Sequence, residues 1–455
     1  MGTTRASFVW RWRRQRRAAR RARTYSGARV PPSGRVAELH ASSAASAAPR
    51  AFFRRFVRAR RPVALRFPLA ELRTLPPEWW ALPPRRAARI QLDAEWREGD
   101  HARFGRGERA RLSYAQLLAS LRAGKTSYYL TTQQAAPADE GVLALPLPCV
   151  DAELRRRGGR GVPLAPRLAG PLVPQSVNLW LGRSAAAGTS SGLHHDYHDN
   201  LYVLLHGTKR FRLFSPADAR RMYTVGRLAR VHPNGRINYA GQLTSSDGLG
   251  PEEAAEAECL EARAAKRRAE RKLMIAEATV EEEEEEAMEE EGGRDAESAP
   301  LRAARRRAAA AEAALRRAAG RLQRSKAQMA RVRRGEGGEA EGAAAKGATP
   351  PNFSRIGALP RGAPSTWASS ATGRRFPRLL RARCAEVTLE AGNMLYLPCG
   401  WFHEVTSAGD HCALNYWFHP PDTGQYKRPY RAAKFWKREW ERIKRYSEHQ
   451  REVGS

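Results

Sequence analysis

Three side chains in this sequence have the types and the order of a metal site. His194 and Asp196 stand two residues apart in "SGLHHDYHDNLYVLLHGTKRFRLF" (191–214), and His403 follows an apolar run in "AGNMLYLPCGWFHEVTS", far downstream. Two imidazoles and one carboxylate leave coordination positions open, a set that suits non-haem Fe(II) and oxygen chemistry. On a strand, residues i and i+2 face the same side, so His194 and Asp196 can both address one ion while His195 points away. His198 competes with them on spacing alone. Lys209, near the end of the first segment, adds a base able to bind an anion.

Strands must carry these groups. "SYYLTTQQ" reads as a short strand and "SVNLWLG" as another, stopped by Gly182. "NLYVLL" and "KRFRLF" alternate with period 2 on either side of His206, Gly207 and Thr208, which predicts a hairpin. The pattern resumes in "AEVTLEAGNMLYLPCGWFHEVTS" and "CALNYWFHPP", whereas "LSYAQLLASLRAG" has helical apolar spacing ended by Gly124. Many short strands with Gly and Pro turns predict a mainly β, α+β domain with a barrel or two-sheet jelly-roll core.

A segment of different composition interrupts that core. Residues 251–291 are Ala, Glu, Lys and Arg with an acidic run, "EEEEEEAMEEE", closed by Gly292 and Gly293. In the Ala- and Arg-rich block 301–334, Leu301, Ala308, Leu315, Leu322 and Met329 recur every seven residues, each followed three later by Ala304, Ala311, Ala318, Ser325 and Val332. This is a coiled-coil-like seam with little apolar area. Two forms fit it: an antiparallel helical hairpin, or a partly disordered charged insert. The chain closes on "RPYRAAKFWKREWERIKRYSEHQRE", where Trp436, Trp440, Ile443 and Tyr446 have helical spacing. That stripe suits packing on the barrel or on a second subunit in a homodimer. The expected division is a basic leader over 1–48, barrel over 49–245 and 353–425, insertion over 246–352, and a basic amphipathic helix over 426–455.

The formal net charge is +33, which favours polyanionic partners, with nucleic acid reached through the basic segments. Arg is heavily used even in unpatterned stretches, which discounts that inference. Five cysteines (Cys149, Cys259, Cys384, Cys399, Cys412) without C-x-x-C spacing support neither a disulfide framework nor a cysteine zinc site. A reduced, intracellular setting is the simpler reading. No apolar run approaches the roughly 20 residues of a transmembrane helix. The leader has no acidic residue before Glu38 and contains "RWRRQRRAARRAR". It fits an organelle transit peptide, a nuclear-import or nucleic-acid patch, or a solvated tail, so nucleus, cytoplasm and organelle all stay open.

His194-x-Asp196, Asn200, Gly207, Lys209, then "AGNMLYLPCGWFHEV" and "LNYWF", together resemble the JmjC-type cupin oxygenases, particularly their small protein-hydroxylase branch. The resemblance covers about 50–245 and 353–425. It implies a double-stranded β-helix, Fe(II) held by His194, Asp196 and His403, and 2-oxoglutarate and O2 as cosubstrates. Lys209 matches the base for the distal carboxylate of 2-oxoglutarate, Ser191 a hydroxyl sharing it, and Tyr129 the tyrosine position, with Tyr128 as rival. Asn200 and Asn415 match polar groups lining the site. Asn393 departs from the pattern, where an acidic residue commonly follows the turn glycine. Hydroxylation of a protein side chain, giving succinate and CO2, is the expected activity. Methyl-lysine demethylation, RNA hydroxylation and a non-catalytic scaffold are the alternatives.

Overall fold

The computed structural model describes residues 24–41, 48–73, 75–96, 108–131, 133, 141–289, 298–334 and 349–453. Most of the predicted leader, the end of "SYYLTTQQ" and the Gly292–Gly293 break lie outside them. The described chain forms two compact units. One takes in the described residues before Leu249 with 349–431 and 440–453; the other takes in those of 249–334 and 432–439.

The first unit is the α+β jelly-roll. Its strands are β1 (Ala37–His40), β2 (Val63–Arg66), β3 (Gln91–Trp96), β4 (Glu108–Ser113), β5 (Tyr128–Leu130), β6 (Pro174–Ser190), β7 (His194–His195), β8 (Asp199–Phe214), β9 (Leu228–Val231), β10 (Ile237–Tyr239), β11 (Ala385–Glu390), β12 (Met394–Leu397) and β13 (Phe402–Phe418). They run in the order β1-β2-β12-β8-β13-β6-β5-β3-β4, with β11 added to β8 and β7 to β13, while β9 and β10 pair separately. Tyr202, Leu204, Phe211 and Leu213 of β8 pack with Leu395 and Leu397 of β12 and with Trp401 in one buried cluster. Each such Leu or Phe contributes roughly 1.5–3 kcal/mol by leaving water. The helix α1 (Tyr114–Arg122) begins at a capping box in which Ser113 and Gln116 satisfy each other's backbone amides.

The predicted hairpin at Gly207 does not form. β8 runs unbroken and pairs with β13 on both sides of Gly207, from Phe418↔Asp199 to Phe402↔Phe214. The glycine is a bulge instead: its φ is +82°, and a Cβ there would come within 2.2 Å of the Asp410 carbonyl oxygen. Both halves find hydrogen-bond partners on one strand, so the chain bends without reversing. The bulge also shifts the alternation by one residue. Asn200 and Tyr202 face the interior before it and Lys209 and Phe211 after it. Gly182 likewise does not end its strand, because β6 continues to Ser190. It leaves room for the Tyr129 ring, which a Cβ would meet at 2.3 Å.

The second unit contains α2 (Pro251–Glu289) and α3 (Ala299–Arg333). Cross-helix ion pairs Arg305–Glu284 (2.8 Å) and Arg333–Glu252 (3.8 Å) set them antiparallel. Every position of the predicted seam is buried or half-buried. The C-terminal helix α4 (Ala433–Val453) contributes its first turns here: the Lys434 amide donates to Glu261 (2.8 Å) and Arg438 pairs with Glu256 (2.7 Å). Among the described residues no helix is long and apolar enough to cross a membrane.

Candidate active site

β7 is only two residues long, and its pairing to β13 places His194 directly opposite His403. Their ring centroids are 4.3 Å apart. Asp196 follows β7, with its carboxylate 3.8 Å from His403 Nε2. One ligand atom from each of the three lies within 4.8 Å of the others. His194 Nδ1 donates to the Gly192 carbonyl (2.9 Å) and His403 Nδ1 to the Trp401 carbonyl (3.0 Å). Each Nδ1 therefore carries the proton and leaves Nε2 as a lone-pair donor, the arrangement that orients histidines toward a metal. Burial, and then the neighbouring His403, push His194 down to about 4, so it is neutral near pH 7. Asn200 Nδ2 holds the Asp196 carboxylate at 3.2 Å. Two imidazoles and a carboxylate converging on one point fit a divalent first-row ion such as Fe(II).

His195 turns the other way, to the Tyr239 hydroxyl at 2.8 Å, and burial pushes it down to about 3. His198 is outside the cluster and stacks on Trp417 with centroids 5.9 Å apart.

The pocket that begins at these ligands continues between β6, β8 and β13 to Lys209. Lys209 pairs with Ser407, four residues along β13 from His403, roughly 13 Å at the rise of a strand. Its ammonium is buried and donates to the Tyr129 hydroxyl (3.2 Å), between the rings of Tyr129 and Tyr202. Tyr129, not Tyr128, lines the pocket. Ser191 lines it too, but its hydroxyl donates to the Gly192 carbonyl (3.0 Å) and accepts from the Val405 amide (2.9 Å). Asn415 donates to Asn200 (3.4 Å) and accepts from Trp180 Nε1 (2.9 Å), which ties the two asparagines to one wall. A buried cation and phenol lining one end of a pocket fit a carboxylate, which would satisfy both donors. Asn393 sits in the β11–β12 turn, where its side chain accepts from Arg66 (2.8 Å).

Sequence reasoning missed the groups that hold this arrangement in place. Asp199, fully buried at the start of β8, takes both arms of the Arg60 guanidinium, the Tyr396 hydroxyl and the Cys399 amide (3.0 Å). The Arg60 carbonyl accepts from Trp401 Nε1 (3.1 Å), and the Trp401 carbonyl is the one that orients His403. Cys399 belongs to this cluster and does not line the pocket; burial pushes its thiol up to about 12. Arg212 and Glu404 form a second buried pair beside His403, with Glu404 also held by the Ser190 hydroxyl (2.6 Å) and the Leu359 amide (2.8 Å). Local patterning carried no signal for Arg60, which lies in a different part of the chain from Asp199. Trp180 and Tyr202 were readable as inward members of their strands.

Residues 49–424 match the family described as cupin-like domain. The chain is 30% identical over 287 residues to "JmjC domain-containing protein 4" of Schizosaccharomyces pombe, an alignment covering 60% of each, so it spans about three-fifths of that relative's length. Shorter likenesses link it to the human "Bifunctional peptidase and (3S)-lysyl hydroxylase JMJD7" (41% over 44 residues, 10% of this chain and 14% of that one). Another is to the "Lysine-specific demethylase JMJ32" of Arabidopsis thaliana (38% over 50 residues, 11% and 14%). The chain belongs to the cupin-like domain family, and these relatives are JmjC-domain proteins.

Proposed function

We propose that this protein hydroxylates a protein side chain, with Fe(II) held by His194, Asp196 and His403 and 2-oxoglutarate anchored by Lys209 and Tyr129. The observation that carries the reading is one pocket with a convergent two-histidine, one-carboxylate set at one end and a buried ammonium–phenol pair at the other. Bound iron with 2-oxoglutarate and O2 would supply the oxidising power to insert one oxygen atom into a C–H bond, leaving succinate and CO2. The protein's own part is positional. The two Nδ1–carbonyl bonds fix the imidazoles, Asn200 fixes the carboxylate, and the aromatic walls of Tyr129, Trp180 and Tyr202 keep water from the carboxylate end. Ser191, Asn200 and Asn415 line the same space and would contact the cosubstrate.

Purified protein given Fe(II), 2-oxoglutarate and ascorbate is expected to release succinate, and His403→Ala to lose at least about a thousandfold of that turnover through loss of the ion. Lys209→Ala should raise the KM for 2-oxoglutarate while leaving Mn(II) binding, read by electron paramagnetic resonance, in place. Equal succinate from wild type and His403→Ala, with candidate protein substrates present, would sink the reading. The partial likeness to a lysine demethylase favours one alternative outcome, N-methyl hydroxylation, which formaldehyde release from methylated peptides would reveal.

A further inference from the structure

The helical hairpin carries a band of positive charge that its own acids do not meet. Residues 263–272 of α2 hold six basic side chains (Arg263, Lys266, Arg267, Arg268, Arg271, Lys272) against the single acid Glu270. Residues 316–326 of α3 add Arg316, Arg317, Arg321, Arg324 and Lys326 with no acid. The ion pairs Arg321–Glu258 (4.0 Å) and Arg305–Glu284 (2.8 Å) bracket the first stretch and set it beside the middle of α3. Lys266, Arg316 and Arg321 find carboxylates, at Glu270, Glu312 and Glu258. The other eight form no ion pair among the described residues, and all eight are exposed.

Their spacing is regular. Arg263, Arg267 and Arg271 are four apart and make one outward stripe on α2; Arg317 and Arg324, seven apart, share a face of α3. Like charges at these spacings oppose helix formation, so the band weakens the hairpin that carries it. The acidic run from Glu281 is not its counterpart, since it lies along the arginines at 302–307, where Glu284 meets Arg305.

We propose that this band binds the phosphate backbone of a nucleic-acid duplex. Duplexes present the densest regular line of anions, about one charge per 1.7 Å of axis, and guanidinium is the side chain best matched to phosphate. The band is Arg-rich, and the exposed apolar side chains beside it are Met274 and Ile275, less than the continuous apolar face that a membrane-surface helix lays into lipid. This inference is independent of the oxygenase site.

The test is fluorescence anisotropy of the full chain with labelled 20-base-pair RNA and DNA duplexes over 50–200 mM KCl, comparing wild type with a variant carrying Arg263→Gln, Arg267→Gln, Arg271→Gln, Arg317→Gln and Arg324→Gln. Circular dichroism verifies its helix content, and iron-dependent succinate release verifies the barrel. The variant is expected to bind at least about tenfold more weakly, and the slope of log K against log salt to flatten by about 2–4, given about 0.9 per phosphate contact. RNA and DNA arms distinguish which duplex is preferred. Unchanged affinity and slope overturn the proposal, including the case in which removal of the basic residues 5–23 abolishes binding instead. So does band-dependent binding to phosphatidylserine vesicles, or to a second copy in sedimentation, without duplex binding.

Discussion

Arg60 and Arg212 in the barrel and Arg317 and Arg324 in the hairpin carry the same guanidinium under opposite constraints. The first two are almost fully buried, and each is gripped by a buried carboxylate, Asp199 or Glu404. The second two stand in solvent with no ion pair among the described residues. Net charge cannot distinguish these roles, because a buried pair is electrically silent and an exposed row is not. In the barrel, charge is spent on geometry: Asp199 joins Arg60, Tyr396 and Cys399 around the turn that leads to His403. In the hairpin it is displayed.

The largest expected difference between the two regions is in acid. Burial pushes His419 down to about 3 and His232 down to about 4, and both belong to the barrel unit. The folded state resists protonating them, whereas the unfolded chain takes up protons below about 6.5. Stability is therefore complete above about pH 6.5 and falls as the pH drops toward 4, since the unfolded state binds more protons there. Each such histidine lowers stability by about 1.4 kcal/mol for every pH step of one below about 6.5, until its own folded value is reached. The helices α2 and α3 contain no histidine. Metal-free protein titrated from pH 7 to pH 4 should lose its near-ultraviolet tryptophan dichroism well before its helical signal at 222 nm. Simultaneous loss of both signals would break the comparison.

Next in size is removal of a buried carboxylate. Asp199→Ala leaves Arg60 charged and enclosed, with the Cys399 amide and the Tyr396 hydroxyl unsatisfied, and should cost about 3–5 kcal/mol in denaturant unfolding. Because the same cluster supports the turn that orients His403, Mn(II) affinity measured under folding conditions should fall about 10- to 100-fold, as for other groups that orient metal ligands. A loss of stability with unaltered Mn(II) affinity would separate the cluster from the metal site and confine it to packing.

Much of this arrangement was legible because its signals are local. His194, Asp196 and Lys209 lie in one short segment, the triad chemistry is specific to its residue types, and period-2 alternation marked β6, β8 and β13. Gly207 was legible as a conformational exception and misread in kind: a positive φ serves a hairpin turn and a bulge equally, and only the pairing of β13 with both halves of β8 decides between them. The heptads of α3 pointed to its seam for the same local reason. What local patterning could not give was Arg60, whose importance comes from Asp199 across 139 residues, or the engagement of the Ser191 hydroxyl by backbone groups. Long-range partners leave no periodicity.

The smallest expected effect completes the contrast. Glu312 and Arg316 form an i,i+4 ion pair on α3 with side chains 53% and 65% exposed. In water, the attraction is screened and both long side chains lose rotamer freedom, so such pairs contribute about 0.3–0.5 kcal/mol. Glu312→Gln keeps the shape and helix propensity and removes only the charge. Its unfolding midpoint in urea should move by no more than that small energy implies, and the shift should vanish at 1 M salt, where the Debye length is about 3 Å. A cost near that of Asp199→Ala at low salt, removed by about 1 M salt, would mean that Glu312 also restrains the repulsion of neighbouring arginines. The hairpin would then resemble the barrel in depending on its charge pairs, and the difference between display and geometry would have to be redrawn.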